Sequence, residues 1–84
     1  MLFRSVHLFM NLKDCIPGQE MEIIKVTDLD LELRLLEFGL DAGTKIKIIG
    51  KAPLGCPLIL ETDRMRLSLR RVEASQIKVK ASNA

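Results

Sequence analysis

The chain has 84 residues, a formal net charge of +2, 48% hydrophobic and 29% charged side chains. That length allows one domain with a thin core, since so short a chain buries only roughly 60–65% of its unfolded surface, and it argues against a deep catalytic cavity. Ordinary hydrophobicity with charges of both signs excludes disorder, and the absence of any apolar run near the ~20 residues of a bilayer span excludes a membrane-inserted helix.

Arg4 and His7 interrupt what would be the apolar heart of a signal peptide, so a cytoplasmic protein is expected. Residues 1–11 read as an N-terminal extension or extra strand, because Leu2, Val6, Leu8 and Met10 alternate only loosely. The main domain, residues 12–80, opens with Leu12 to Ile16 and the dipeptide Pro17-Gly18. Proline presets the first central residue of a type II turn there and glycine supplies the positive φ of the second. Glu20 to Val26 follows as a strand with apolar residues on both sides.

A helix comes next. Asp28 or Asp30 can accept the orphan N–H groups at its start. Leu29, Leu33, Leu36 and Leu40 recur at four, three and four, and Leu35 widens this stripe, which is expected to face the core. Gly39 stops the helix. With Gly39 in the left-handed position, Leu40 can fold back onto Leu35 in a Schellman ending. From Thr44 to Ile49 the period becomes two, with Ile46 and Ile48 on one side of a strand.

Gly50 to Pro57 is broken by two glycines and two prolines and reads as a loop. Leu58 to Thr62 and Met65 to Leu69 form a hairpin about Asp63-Arg64, Arg71 to Gln76 has room for one helical turn, and Ile77 to Val79 closes the domain. Residues 81–84 are expected to fray. The inventory is mainly β with one inserted helix. Five or six short strands in so small a chain favour a small, closed or partly closed barrel, which hides sheet edges without a second layer.

The chemistry-bearing residues are sparse. His7 is the only histidine, Gly39 and Gly43 are explained by a helix stop and a turn, and no phosphate loop or nucleophile–base pair occurs, so no enzyme and no cofactor is expected. Cys15 and Cys56 are too far apart for a metal knuckle or a redox pair, and no metal site is expected. Charge is uneven. Residues 1–50 hold six basic and eight acidic side chains and residues 51–84 seven and three. The basic half, including Arg64, Arg66, Arg70, Arg71, Lys78 and Lys80, raises a nucleic-acid-binding barrel as a third reading. It lacks the stacking aromatics such binding uses, because Phe3, Phe9 and Phe38 lie outside it, and no nucleic acid partner is expected. The helix region is acidic instead, with five carboxylates between Asp28 and Asp41 against Arg34 alone.

The run LLEFGLDAGTKIKII, the loop APLGCP and the segment LSLRRVEASQIKV, in this order and spacing, resemble the FeoA family of small proteins associated with bacterial ferrous iron uptake. The resemblance spans Leu12 to Val79. It implies an SH3-like barrel and a cytosolic accessory protein that acts by binding the G-protein part of FeoB, the membrane iron transporter. The same barrel type closes iron-dependent transcriptional repressors, so a metal-responsive regulatory domain is the alternative. Three positions depart from the family's pattern: Ala42, where proline is frequent, Cys56, where an acid is common, and Asp63-Arg64, which lacks a hairpin glycine.

The expected partner-binding residues are Leu35, Glu37, Phe38, Leu40 and Asp41, an apolar and acidic shoulder at the end of the helix, with core packing the alternative for each apolar member. Arg34, Arg70 and Arg71 are the candidates for an arginine supplied to a nucleotide site, with a salt-bridged or solvated role as the alternative. Association with further copies of the chain is compatible with so small a domain.

Overall fold

The computed structural model describes residues 9–53 and 57–82. Six strands form one antiparallel sheet: β1 (Phe9–Asn11), β2 (Glu20–Val26), β3 (Lys45–Lys51), β4 (Leu58–Glu61), β5 (Arg66–Leu69) and β6 (Ile77–Ala81). Their order is β1-β6-β2-β3-β4-β5, so β1 and β5 are the two ends of a strongly bent but open sheet. Helix α1 (Leu29–Glu37) joins β2 to β3, and the single turn α2 (Arg71–Ala74) joins β5 to β6. A 3-10 turn, Leu12–Asp14, follows β1.

The expected turns form for the expected reasons. Gly18 has φ +98°, and Gln19 N–H donates to Ile16 O at 3.2 Å, which closes the turn around Pro17-Gly18. The β4–β5 hairpin does without a glycine. Thr62 Oγ1 accepts the N–H groups of Arg64 and Met65 at 3.2 Å each, so a side chain does the work that a left-handed residue does in other hairpins.

Two bulges decide which residues point inward. Between Ile23 and Lys25 the β2–β6 register slips by one, and the buried positions run Met21, Ile23, then Val26. Ile24 absorbs the slip, which is why β2 reads as apolar on both sides. A second slip, between Ile48 and Gly50, bends β3. It also carries the strand through Gly50 to Lys51, two residues the loop was expected to contain. At the other end, Ala81 belongs to β6 and Ser82 N–H donates to Glu20 O at 2.9 Å, so the chain is held where fraying was expected to begin. Residues 1–8, 54–56 and 83–84 lie outside the described residues, and with them His7, Cys56 and most of the N-terminal extension.

The core lies inside the curve of the sheet. It is built from Met21, Ile23, Val26, Ile46, Ile48, Leu58, Leu60, Leu69, Ile77 and Val79, closed by Leu12, Cys15 and Ala74 from the turns and by Leu31, Leu35 and Leu40 from the helix and its exit. Lys51 Nζ donates to Lys13 O and Cys15 O, both at 3.0 Å, and fastens the 3-10 turn to β3. Asn11 fastens the same turn to α2, with Nδ2 donating to Ser75 O at 2.7 Å and Oδ1 accepting from Lys13 N at 3.0 Å.

Candidate docking surface

Asp28 begins α1, its extended backbone and its Oδ2 accepting Leu31 N–H at 3.0 Å. The helix ends in a complete Schellman motif. Leu40 N–H donates to Leu35 O at 2.9 Å and Gly39 N–H to Leu36 O at 3.0 Å, with Gly39 at φ +81°. Leu40 is thereby turned under the helix beside Leu35, as the sequence predicts, and both are buried.

The face that enters the core is not the predicted stripe. Leu31 and Leu35 are 2% and 3% exposed, whereas Leu29, Leu33 and Leu36 are 65%, 52% and 45% exposed. At about 100° per residue, Leu29, Leu33 and Leu36 cluster within one narrow sector half a turn away from Leu31 and Leu35. The helix has leucines on two opposite faces, and periodicity identifies both without saying which turns inward. The Schellman ending decides it: Leu40 must meet Leu35, so Leu35 is inside and Leu33 and Leu36 are out.

This also sorts the expected partner-binding residues. Leu35 and Leu40 are corrected to core positions, because both pack into the apolar cluster beneath the helix. Glu37, Phe38 and Asp41 are exposed. Asp41 is engaged in its own turn: its N–H donates to Thr44 Oγ1 at 3.1 Å, and the Thr44 hydroxyl donates to Asp41 Oδ1 at 3.0 Å. Phe38 lies on the rim of two shallow depressions, one shared with Leu67, Ser68 and Leu69 and one with Thr62, Asp63 and Arg64. Leu29, Leu33 and Leu36, whose spacing predicts a core-facing stripe, are instead the exposed leucines of the helix. Three large apolar side chains stand in a row on the solvent side of the helix, rimmed by Asp30, Glu32 and Glu37.

Glu73 organises the neighbouring turn. Its Oε1 accepts Arg70 N–H at 2.9 Å, and its Oε2 accepts from Arg34 Nη2 at 2.8 Å and lies 3.7 Å from Arg70 Nη2. The backbone N–H of Arg70 and then the Arg34 guanidinium hold this carboxyl below the ordinary range. Two of the three arginines considered for a nucleotide site are thus bound to one carboxylate, and they tie α1 to α2. Arg71 is exposed and forms no ion pair among the described residues.

The Cys15 thiol is fully buried, and burial pushes its pKa up to about 11 despite Lys51 nearby, so it stays protonated and packs as a small apolar group. Among the described residues no three His, Cys, Asp or Glu side chains gather as a metal site, and no helix is long and apolar enough to cross a membrane.

Residues 10–81 match the family model for the FeoA domain. No curated protein sequence matches significantly. Among solved structures, FeoA from Chlorobium tepidum is 33% identical with a TM-score of 0.80, over 88% of this chain and 71% of that one. FeoA from Stenotrophomonas maltophilia, solved with zinc and described as a procaryotic SH3 domain protein, is 28% identical with a TM-score of 0.73, over 84% of this chain and 89% of that one. A manganese-dependent transcriptional repressor shares the fold at 13% identity, with a TM-score of 0.77 over 87% of this chain and 41% of that one. The open, bent six-stranded sheet with its inserted helix is the SH3-like architecture, and the chain belongs to the FeoA family, which is associated with ferrous iron transport.

Proposed function

We propose that this protein is a non-enzymatic accessory protein of ferrous iron uptake that docks, through the outer face of α1, on the cytosolic G-protein part of a FeoB-type transporter. The observation that carries the reading is the row Leu29, Leu33 and Leu36, exposed on the half of the helix opposite its buried leucines. Water penalises such a row in a free monomer, and an apolar groove on a partner removes the penalty. Glu37 extends the surface at the C-terminal end of the helix, and the acidic rim favours a partner groove with basic edges. The family supports the transport context, and the Stenotrophomonas maltophilia relative has itself been put forward as a ferrous iron transport activating factor.

Regulation acts by contact in this reading. Arg34 and Arg70 are held by Glu73, so neither is free to reach a nucleotide without breaking the α1–α2 tie. The test is titration and pull-down with the purified cytosolic part of the transporter, with and without guanine nucleotides. Saturable binding in at least one nucleotide state supports the reading. Absence of interaction in all states overturns it.

A further inference from the structure

On the outer face of the sheet, cross-strand neighbours form rows of charge. Arg66, Glu61, Lys47 and Glu20 stand opposite one another in succession across β5, β4, β3 and β2. Lys45, Glu22 and Lys80 do so across β3, β2 and β6. Every cation in these two rows faces a carboxylate, the arrangement that stabilises a sheet. The third row breaks the rule. Past the bulge at Ile24, Lys25 stands opposite Lys78, two like charges on adjacent strands, and neither forms an ion pair among the described residues.

Beside this pair lies a groove of about 350 Å³ lined by Phe9, Met10, Asn11, Ile24, Lys25 and Lys78, with no carboxylate among them. Phe9 is more than half exposed, and its strand β1 is an end of the sheet. The Asn11 amide is already committed to Ser75 O and Lys13 N–H, which leaves the two ammonium groups as the polar recognition elements. The bulge creates the site: without the slip at Ile24, the alternation of β2 would carry Lys25 to the core side.

The geometry points to this groove as the seat of an acidic, extended segment of a partner protein, laid beside β1, with apolar side chains against Phe9 and Ile24 and a carboxylate between Lys25 and Lys78. A carboxylate there places an acid between two ammonium groups and restores the alternation of sign that the other two rows have in their register. A nucleic acid fits less well. A phosphate backbone needs a continuous basic track, and this one stops after one row, at the carboxylates of Glu22 and Glu20, with a single aromatic ring for stacking. The chain's own residues 1–8 bring Arg4 and His7 and no carboxylate, so charge disfavours them as the occupant. The surface uses β1, β2 and β6 and is independent of the α1 face.

The test is fluorescence anisotropy of the full chain with a labelled short peptide of repeated Val-Val-Glu-Glu, which presents valine and glutamate together on each face of an extended strand. The expected result is binding that weakens as salt is raised and weakens at least about tenfold in Lys25→Glu/Lys78→Glu, with an intermediate loss in Phe9→Ala. Lys25→Met/Lys78→Met removes the charge without reversing it and gives the same direction, and unchanged circular dichroism shows that both variants fold. The inference is overturned by absence of binding, by binding that the lysine variants leave unchanged, by equal binding of a Val-Val-Lys-Lys peptide, or by tighter binding of a short oligothymidylate. It is also overturned if sedimentation shows self-association that the lysine variants abolish, which would make a second copy the occupant.

Discussion

The inner and outer faces of α1 carry the same residue type and are used oppositely. Leu31 and Leu35 point into the barrel and lose their solvent, while Leu29, Leu33 and Leu36 keep theirs. Burial of a leucine contributes roughly 1.5–3 kcal/mol, so the inner pair is part of what holds the domain together. The outer row contributes almost nothing to the free monomer. The contrast separates two roles that a leucine-rich helix usually confounds: the fold needs one face, and the other is available for a partner.

The largest expected effect breaks the inner face. Leu35→Ala should lower unfolding free energy by about 2–5 kcal/mol in urea denaturation, because the cavity it leaves lies between the helix and Leu40. Next comes the device that sets which face is inside. Gly39→Ala forces a side chain into a left-handed conformation and should cost about 1–2 kcal/mol, although a Cβ there meets nothing within 4 Å. A loss well below this range would mean that the helix ending does not fix the choice of face.

The tie between α1 and α2 gives a smaller effect with a pH signature. Because the folded pKa of Glu73 is depressed, its contribution is present above the carboxylate's unfolded pKa, near about 4.3, and is lost as pH falls through the lower folded value. Glu73→Gln should therefore be destabilised by about 1 kcal/mol or less at neutral pH, and the gap to the native protein should close in acid. The smallest effects on stability belong to the outer surfaces. Leu29→Ser, Leu33→Ser and Leu36→Ser should each stay within about 0.5 kcal/mol of the native protein. Lys25→Glu should raise stability by about 0.2–1 kcal/mol, by relieving the repulsion with Lys78.

Much of this architecture is legible in the sequence because glycine and proline leave little choice. Gly18 and Gly39 adopt the positive φ assigned to them, and the Schellman bonds connect the residues that Gly39 implies. The bulges are not legible. Ile24 is apolar and fits either side of a strand, so the phase change in β2 is invisible until the register with β6 is known. The orientation of α1 is hidden for a related reason, since two leucine faces compete in periodicity and only the contact of Leu40 with Leu35 tells them apart. The Arg34–Glu73 pair joins residues 39 positions apart, and no local pattern announces it. Of the residues expected at the docking shoulder, Glu37, Phe38 and Asp41 are exposed and Leu35 and Leu40 are buried.

The central claim is that the outer face of α1 binds and the inner face folds. It is tested most directly by titrating the transporter's cytosolic part with the native protein and with Leu29→Ser/Leu33→Ser/Leu36→Ser, after matching their urea midpoints. Retained folding with binding weakened at least about tenfold, as expected when several anchor side chains are lost, is the predicted result. Native affinity in the triple variant would contradict it.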